Sequence, residues 1–502
     1  MHTVTESKLA SHMVFVLAPL LLLLLSGGSS SPVVRAAADH GDDDYMMVAM
    51  SSLKAKAACF GHRVIPPDNG TWVPLNRPRG PCSPSLSGAA KPLSLADLLR
   101  QDQLRVDDIQ WRLSDDVRDN KGSVKPPMMT ASDQINHQAT AQVIVGSESL
   151  PNSSMQEQGS QVSIDPAATG RRSSLPGVVQ TVVLDTASDV PWVQCVPCPV
   201  PPCHPQTDTF YDPSRSGTYA AFPCNSPACT RLGPYANGCV NNQCQYRVRY
   251  PDGSSSSGTY SSDLLTFNPT NAISNFQFGC SHAVQGSFDS RTAGIMALGG
   301  GPESLVSQTA STYGNAFSYC LPPTESYKGF FVLGVPRVAA SRYVVTPMLR
   351  YKQVPTFYRV LLQAITVAGQ QLNVPRAVFA AGSVLDSRTV ITRLPPTAYQ
   401  ALRAAFMNKM SMYRAAPPKG NLDTCYDFTG VANVRLPRIS LVFDKNAVVE
   451  IDPSAVLFND CLAFIPNRDD RMPGILGNLQ QQTIEVLYDV GNGAVGFRRN
   501  AC

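Results

Sequence analysis

Two stretches of the chain run from an apolar strand straight into an acid. Thr181 to Cys195 reads TVVLDTASDVPWVQC, so Val182-Val183-Leu184 ends on Asp185 and a Thr-Ala-Ser turn. Gly382 to Thr392 reads GSVLDSRTVIT, so Val384-Leu385 ends on Asp386, Ser387, Arg388 and Thr389. A buried strand ordinarily ends on a turn residue in water, because a carboxylate is costly to bring near a core. The two acids stand 201 positions apart, so each can head one half of an internally duplicated chain. Each is followed by a glycine-bracketed apolar segment, Gly294 to Gly300 after the first and Gly474 to Asn478 after the second. This doubling predicts two similar halves that bring one carboxylate each to a shared cleft.

Composition supports a turn-rich β protein. Of 502 residues only 16% are charged, against 35 glycines and 41 prolines, a balance foreign to helical bundles. A formal net charge of +4 over this length, with no basic stripe interleaved with aromatics, argues against a nucleic-acid partner.

The start of the chain reads as an export signal over residues 1–38. Lys8 and His12 precede an apolar core, Val14 to Leu25, which closes on small residues up to Ala38. That core is short beside the roughly 20 residues a bilayer span needs, so no membrane association is expected once it is removed. Twelve of the 14 cysteines lie from Cys195 onward. Cys195, Cys198, Cys203 and His204 have the spacing of a zinc knuckle, but an exported chain favours disulfides. No metal or organic cofactor is expected.

Residues 39–172 read as a propeptide. Only Ser94 to Ser114 is convincingly periodic: Ser94 and Asp97 make a capping box, and Leu95, Leu98, Leu99, Val106, Ile109 and Leu113 share one helical face. Arg100, Arg105, Arg112, Asp102, Asp107 and Asp108 surround that face. A lone amphipathic helix needs a surface to cover, which a folded enzyme would supply. The sequons at Asn69 and Asn152 fall in this region, and Arg171-Arg172 is a candidate trimming site. Residues 173–342 read as an N-terminal β lobe with a cysteine-rich insert and a hairpin from Arg247 to Phe267 turning at Asp252-Gly253. Residues 343–502 read as a C-terminal β lobe, opening with a strand pair over Arg350 to Gly369 and carrying a helix over Thr397 to Arg414.

From about Leu175 onward the chain resembles the plant pepsin-like aspartic proteases of the nepenthesin type. The resemblance rests on the two Asp-Thr/Ser triplets, on Trp192 seven positions after the first acid, on the cysteine-rich insert, on Phe317-Ser318-Tyr319-Cys320, and on Gln480-Gln481-Gln482 after Gly474 to Asn478. It implies a mostly β, bilobal fold and an endopeptidase made as a secreted zymogen. Asp185 and Asp386 would share a proton and activate water against a peptide carbonyl. Thr186 and Ser387 would lock the two acid loops together, and Ser188 and Thr389 would bond the outer carboxylate oxygens. Tyr250 would be the flap tyrosine within reach of Trp192. The resemblance further implies a protein or peptide substrate, a monomer, a propeptide shed in acid, and delivery to the extracellular space or the vacuole.

Three departures bear on activity. Ala187 and Arg388 stand where the family has glycine, and Pro251 stands for a glycine beside the flap tyrosine. The strand that ordinarily precedes the first acid strand is reduced to Leu175-Pro176-Gly177. Of these, Arg388 matters most, since a permanent cation beside the acids favours their doubly ionised state. The competing expectation is therefore a protease-like protein with a degenerate site that acts as a binding or inhibitor protein.

Overall fold

A computed structural model describes residues 44–53, 58–63, 71–77, 81–82, 94–114, 138–148, 175–199, 202–268, 271–286, 288–336, 338 and 340–502. The export signal, both sequons and Arg171-Arg172 lie outside the described residues.

Each acid strand sits in its own sheet, and the two sheets repeat one local pattern. Leu175–Asp185 runs parallel to Gly294–Ala297, with Asp185 level with Ala297. In the second half Ser383–Leu385 runs parallel to Gly474–Leu476. Trp192–Gln194, just beyond the first acid loop, crosses antiparallel to Gly294–Ile295 and pairs in parallel with Gly279 to Ser281. Thr392–Leu394 does the same against Ile475 and Phe464–Pro466. The bracketing glycines are there for close approach: a Cβ on Gly294 would stand 1.9 Å from the Trp192 carbonyl oxygen, and one on Gly477 2.7 Å from that of Val390. The duplication read from the sequence is thus a duplication of strand packing.

The N-terminal lobe is a nine-stranded sheet in which Ser255–Asn268 pairs with Asn271–Gln285, closing the order into a barrel. The six-stranded sheet takes strands from both halves. Val344–Pro347, Ala494–Arg498, Glu485–Asp489, Ala316–Cys320 and Gly329–Leu333 follow one another across it, with Phe317 stacked on Tyr488 at 4.4 Å between ring centroids. Among the described residues all 14 cysteines pair, including Cys195 with Cys280 and Cys198 with Cys203, so the zinc-knuckle cysteines are held in disulfides.

Several local readings change. Thr140–Glu148 is the strand that seemed missing before the first acid strand: it pairs antiparallel with Leu175–Asp185 and lies between it and Ser255–Asn268. The 39–172 region also lends Trp72–Leu75 to the edge of the six-stranded sheet and Tyr45–Ala49 to Asn433–Pro437. Trp72–Leu75 and Tyr45–Ala49 give weak sequence signals because each is short and takes its partner from far along the chain. The two strands within Arg350 to Gly369 go to different sheets: Arg359–Val360 pairs with the second acid strand and Leu362–Val367 with Ile439–Phe443. The late helix spans Pro396–Lys409, and Thr397 bonds Asp470 instead of capping it.

Candidate active site

Asp185 and Asp386 are both fully buried and converge on one cation. The helix Leu95–Arg112 lies in the cleft, capped by Ser94, whose Oγ accepts from Asp97 N at 3.1 Å. From it Arg105 donates Nε to Asp386 Oδ2 at 2.6 Å and Nη2 to both Asp386 Oδ1 and Asp185 Oδ1, each at 2.6 Å. One nitrogen bonding both carboxylates fixes the two acids as neighbours.

The acid loops are cross-tied through Thr186 and Ser387. Thr186 Oγ1 donates to the Leu385 carbonyl at 3.2 Å and accepts from Ser387 N at 3.0 Å. Ser387 Oγ donates to the Leu184 carbonyl at 3.0 Å and accepts from Thr186 N at 3.2 Å. Two hydroxyls thus satisfy the buried backbone of both turns, which lets strands of separate lobes meet at their ends. Thr389 bonds Asp386 Oδ2 through its N–H at 3.0 Å and its hydroxyl at 2.5 Å. Ala187 keeps its N–H on Asp185 Oδ1 at 3.0 Å, so the extra methyl does not cost that bond.

Ser188 departs from its expected place. Its buried Oγ has no partner among the described residues, and the outer oxygen of Asp185 is bonded instead by Arg388 Nη1 at 2.9 Å. Arg388 therefore turns into the site, with its guanidinium carbon 5.8 Å from the Tyr250 ring centre. Burial works to raise the Asp185 pKa, but the Arg105 and Arg388 guanidiniums outweigh it and hold the carboxyl well below the usual range. Asp185 is therefore ionised in this arrangement.

Over the acids stands the hairpin of Gln243–Arg249 and Ser255–Asn268. Its tip closes through Tyr250 N on the Ser254 carbonyl at 2.8 Å, with Gly253 at φ +84° in the left-handed region. Tyr250 Oη accepts from Trp192 Nε1 at 2.6 Å. The hairpin and the helix line one small cavity, of about 50 Å³, among Arg105, Ile109, Ala187, Tyr235 and Tyr250.

In the sequence Arg105 and Asp102 are only charges around an apolar face, whereas in the structure both are buried and point into the site. The signal was available. Positions 98, 102, 105, 106 and 109 make one helical stripe, and two charges inside such a stripe demand partners on the covered surface. Asp102 accepts from Val390 N at 2.5 Å, Ile391 N at 3.3 Å and Arg393 Nη2 at 2.9 Å.

Comparison with known proteins agrees with this geometry. Family models described as the N-terminal and C-terminal parts of a xylanase inhibitor match residues 173–335 and 357–499. The chain is 36% identical over 432 residues to an aspartyl protease family protein of Arabidopsis thaliana, covering 84% of this chain and 85% of that protein. It is 33% identical over 340 residues to the aspartic proteinase nepenthesin-2 of Nepenthes gracilis, covering 64% and 74%. In fold it is similar to conglutin gamma from lupine seeds, with a TM-score of 0.53 at 20% identity over 74% of this chain and 92% of that one. A soybean basic 7S globulin matches with the same TM-score, 0.53, at 20% identity over 72% and 90%. With its paired acid strands and its relatives agreeing, the chain belongs to the plant pepsin-like aspartic proteases.

Proposed function

We propose that this chain is a secreted aspartic endopeptidase that is held closed by its own Leu95–Arg112 helix and acts once that helix has left. The observation that carries the reading is the bridging of Asp185 and Asp386 by Arg105. A guanidinium between two carboxylates occupies the ground where a water and a peptide carbonyl would sit. It also holds Asp185 ionised, whereas hydrolysis needs one proton on the pair. With the helix gone, one carboxylate takes a proton from water as it attacks the peptide carbonyl. The other supplies the proton that stabilises the oxyanion and then passes to the leaving nitrogen. Tyr250, tied to Trp192, would lower the flap on the substrate, and Thr186 and Ser387 would keep the two acids in register.

The segment that leaves ends upstream of Gln138. Loss of everything before Arg171-Arg172 would strip Thr140–Glu148 out of the middle of a sheet, breaking its pairing on both sides. The chemistry requires no metal or organic cofactor, and the substrate is an extended peptide. Export would take the enzyme to the extracellular space or the vacuole; among the described residues no helix is long and apolar enough to cross a membrane.

A binding or inhibitor role is the second reading, favoured by one observation, the bond from Arg388 to Asp185 that stays when Arg105 leaves. One experiment separates the two. Processed protein is incubated with a denatured protein at pH 3–5, with and without pepstatin. Pepstatin-sensitive cleavage supports the peptidase; an inert, folded, helix-free protein supports the binding role.

A further inference from the structure

Asp102 is held differently from the apolar residues beside it on the helix. Its carboxylate is 3% exposed, and every donor it meets belongs to the C-terminal lobe: the N–H groups of Val390 and Ile391 and the Nη2 of Arg393. These donors lie on the segment that runs from the second acid loop into Thr392–Leu394, so they belong to the cleft wall. Arg393 is itself 1% exposed, and its Nε and Nη1 have no hydrogen-bond partner among the described residues. A guanidinium that served only to fasten its own strand would be bonded within its lobe, yet the side chain it meets is on the helix. Beside this cluster Leu98 and Leu99 fill an apolar recess made by Val390, Ile391, Leu422 and Leu479.

The acceptor and the donors differ in permanence. In the reading above the helix departs, while Arg393 and the two N–H groups stay. Left bare, two backbone donors and a guanidinium in a partly dry cleft require an acceptor. We propose that Val390 N, Ile391 N and Arg393 form a carboxylate-binding subsite of the open cleft, for which Asp102 is a resident stand-in. Its ligand is the side chain of an aspartate or glutamate in a peptide substrate, close to the bond that is cut. An apolar neighbour in that peptide would take the recess of Leu98 and Leu99. The proposal rests on the peptidase reading only in requiring that the helix leave. The helix does not give the substrate's register, because it rises about 1.5 Å per residue and an extended peptide about 3.3 Å.

The test uses the full chain, nicked by limited proteolysis after Ser114 and freed of the helix. Peptides capped at both ends carry one Asp, or Asn in its place, at each of four positions on either side of the cleaved bond. kcat/KM is measured at pH 5, where an aspartate side chain is ionised. In parallel, binding of a synthetic peptide of residues 94–114 is compared with that of its Asp102→Asn form, a readout that needs no turnover. Charge-assisted bonds of this kind predict a preference for Asp over Asn of about 10- to 100-fold at one position, and a similar loss of affinity in the Asn form of the helix peptide. Both differences should vanish in Arg393→Gln and survive in part in Arg393→Lys. Should Arg393→Gln fail to fold, the two peptide pairs on the unaltered chain decide alone. Equal handling of Asp and Asn in both assays overturns the subsite, as does a preference that persists in folded Arg393→Gln. Cleavage without preference removes the subsite and leaves the peptidase, and preference in binding without any cleavage does the reverse. A helix that cannot be displaced from the nicked chain ends both.

Discussion

Replacing Arg105 with Gln in the full chain should loosen the helix without unfolding the enzyme. The substitution removes three 2.6 Å charge-assisted bonds and leaves two fully buried carboxylates side by side. Asp185 would keep Arg388, whereas Asp386 would keep only neutral donors from the second acid loop. Breaking a buried ion pair from one side costs about 3–5 kcal/mol, which shifts the docked-to-open ratio by about 100- to 4,000-fold. Against that, Leu98, Leu99, Val106, Ile109 and Leu113 remain buried, at about 1.5–3 kcal/mol each. The apolar contribution is larger, so the variant helix should still be docked most of the time but open far more often. Hydrogen exchange over residues 95–112 should speed up by at least about a hundred-fold near pH 7. The uncut chain should gain slow peptidase activity. In acid the difference should shrink, because the freed dyad takes up a shared proton and sheds the repulsion. Unchanged exchange at pH 7 would refute the reasoning.

The same electrostatics set what acid does to the unaltered chain. The Asp185 pKa lies below the usual range, so what this carboxylate lends the docked state is present above the ordinary value and lost only as pH falls through the depressed one. Chain incubated at pH 4 should keep its helix until it is cut.

Three further outcomes follow from particular contacts. In processed enzyme Arg388→Gly should move the pH optimum upward and raise the rate at pH 5 by about ten-fold or more, since a cation within about 4–6 Å lowers a carboxyl pKa by about 1–3; rates across pH 2–7 check this, and Ala187→Gly should do less. Thr186→Val would leave Ser387 N and the Leu385 carbonyl unpaired in a buried site, a loss of about 1–3 kcal/mol readable by urea denaturation. Burial pushes the Glu303 carboxyl up to about 7, so the native state holds its proton longer than the unfolded chain does, and stability should fall as pH rises from about 4.5 to 7. Glu303→Gln should flatten that fall in thermal midpoint.

What the sequence made legible follows from range. The acid strands, the glycine segments, the flap turn and the Ser94 cap are local patterns, and each stands where the residues put it. Thr140–Glu148 was missed because nothing in its own residues names its place between Leu175–Asp185 and Ser255–Asn268. Arg350 to Gly369 alternates like a hairpin, yet its two strands go to different sheets, since alternation gives a strand its faces but not its neighbours. The site was half visible. Asp185 and Asp386 announced themselves, but the bond of Arg388 to the opposite lobe's acid, and the rotation of Arg105 and Asp102 into the cleft, depend on how the halves and the helix pack.

The most direct test of the account is one quenched-fluorescent peptide at pH 3–5, offered to the intact chain, to the processed chain and to processed Asp386→Asn. The account predicts cleavage by the processed chain alone, because only there are both carboxylates present and free of Arg105. Equal cleavage by processed Asp386→Asn, or none by a folded, helix-free processed chain, would contradict it.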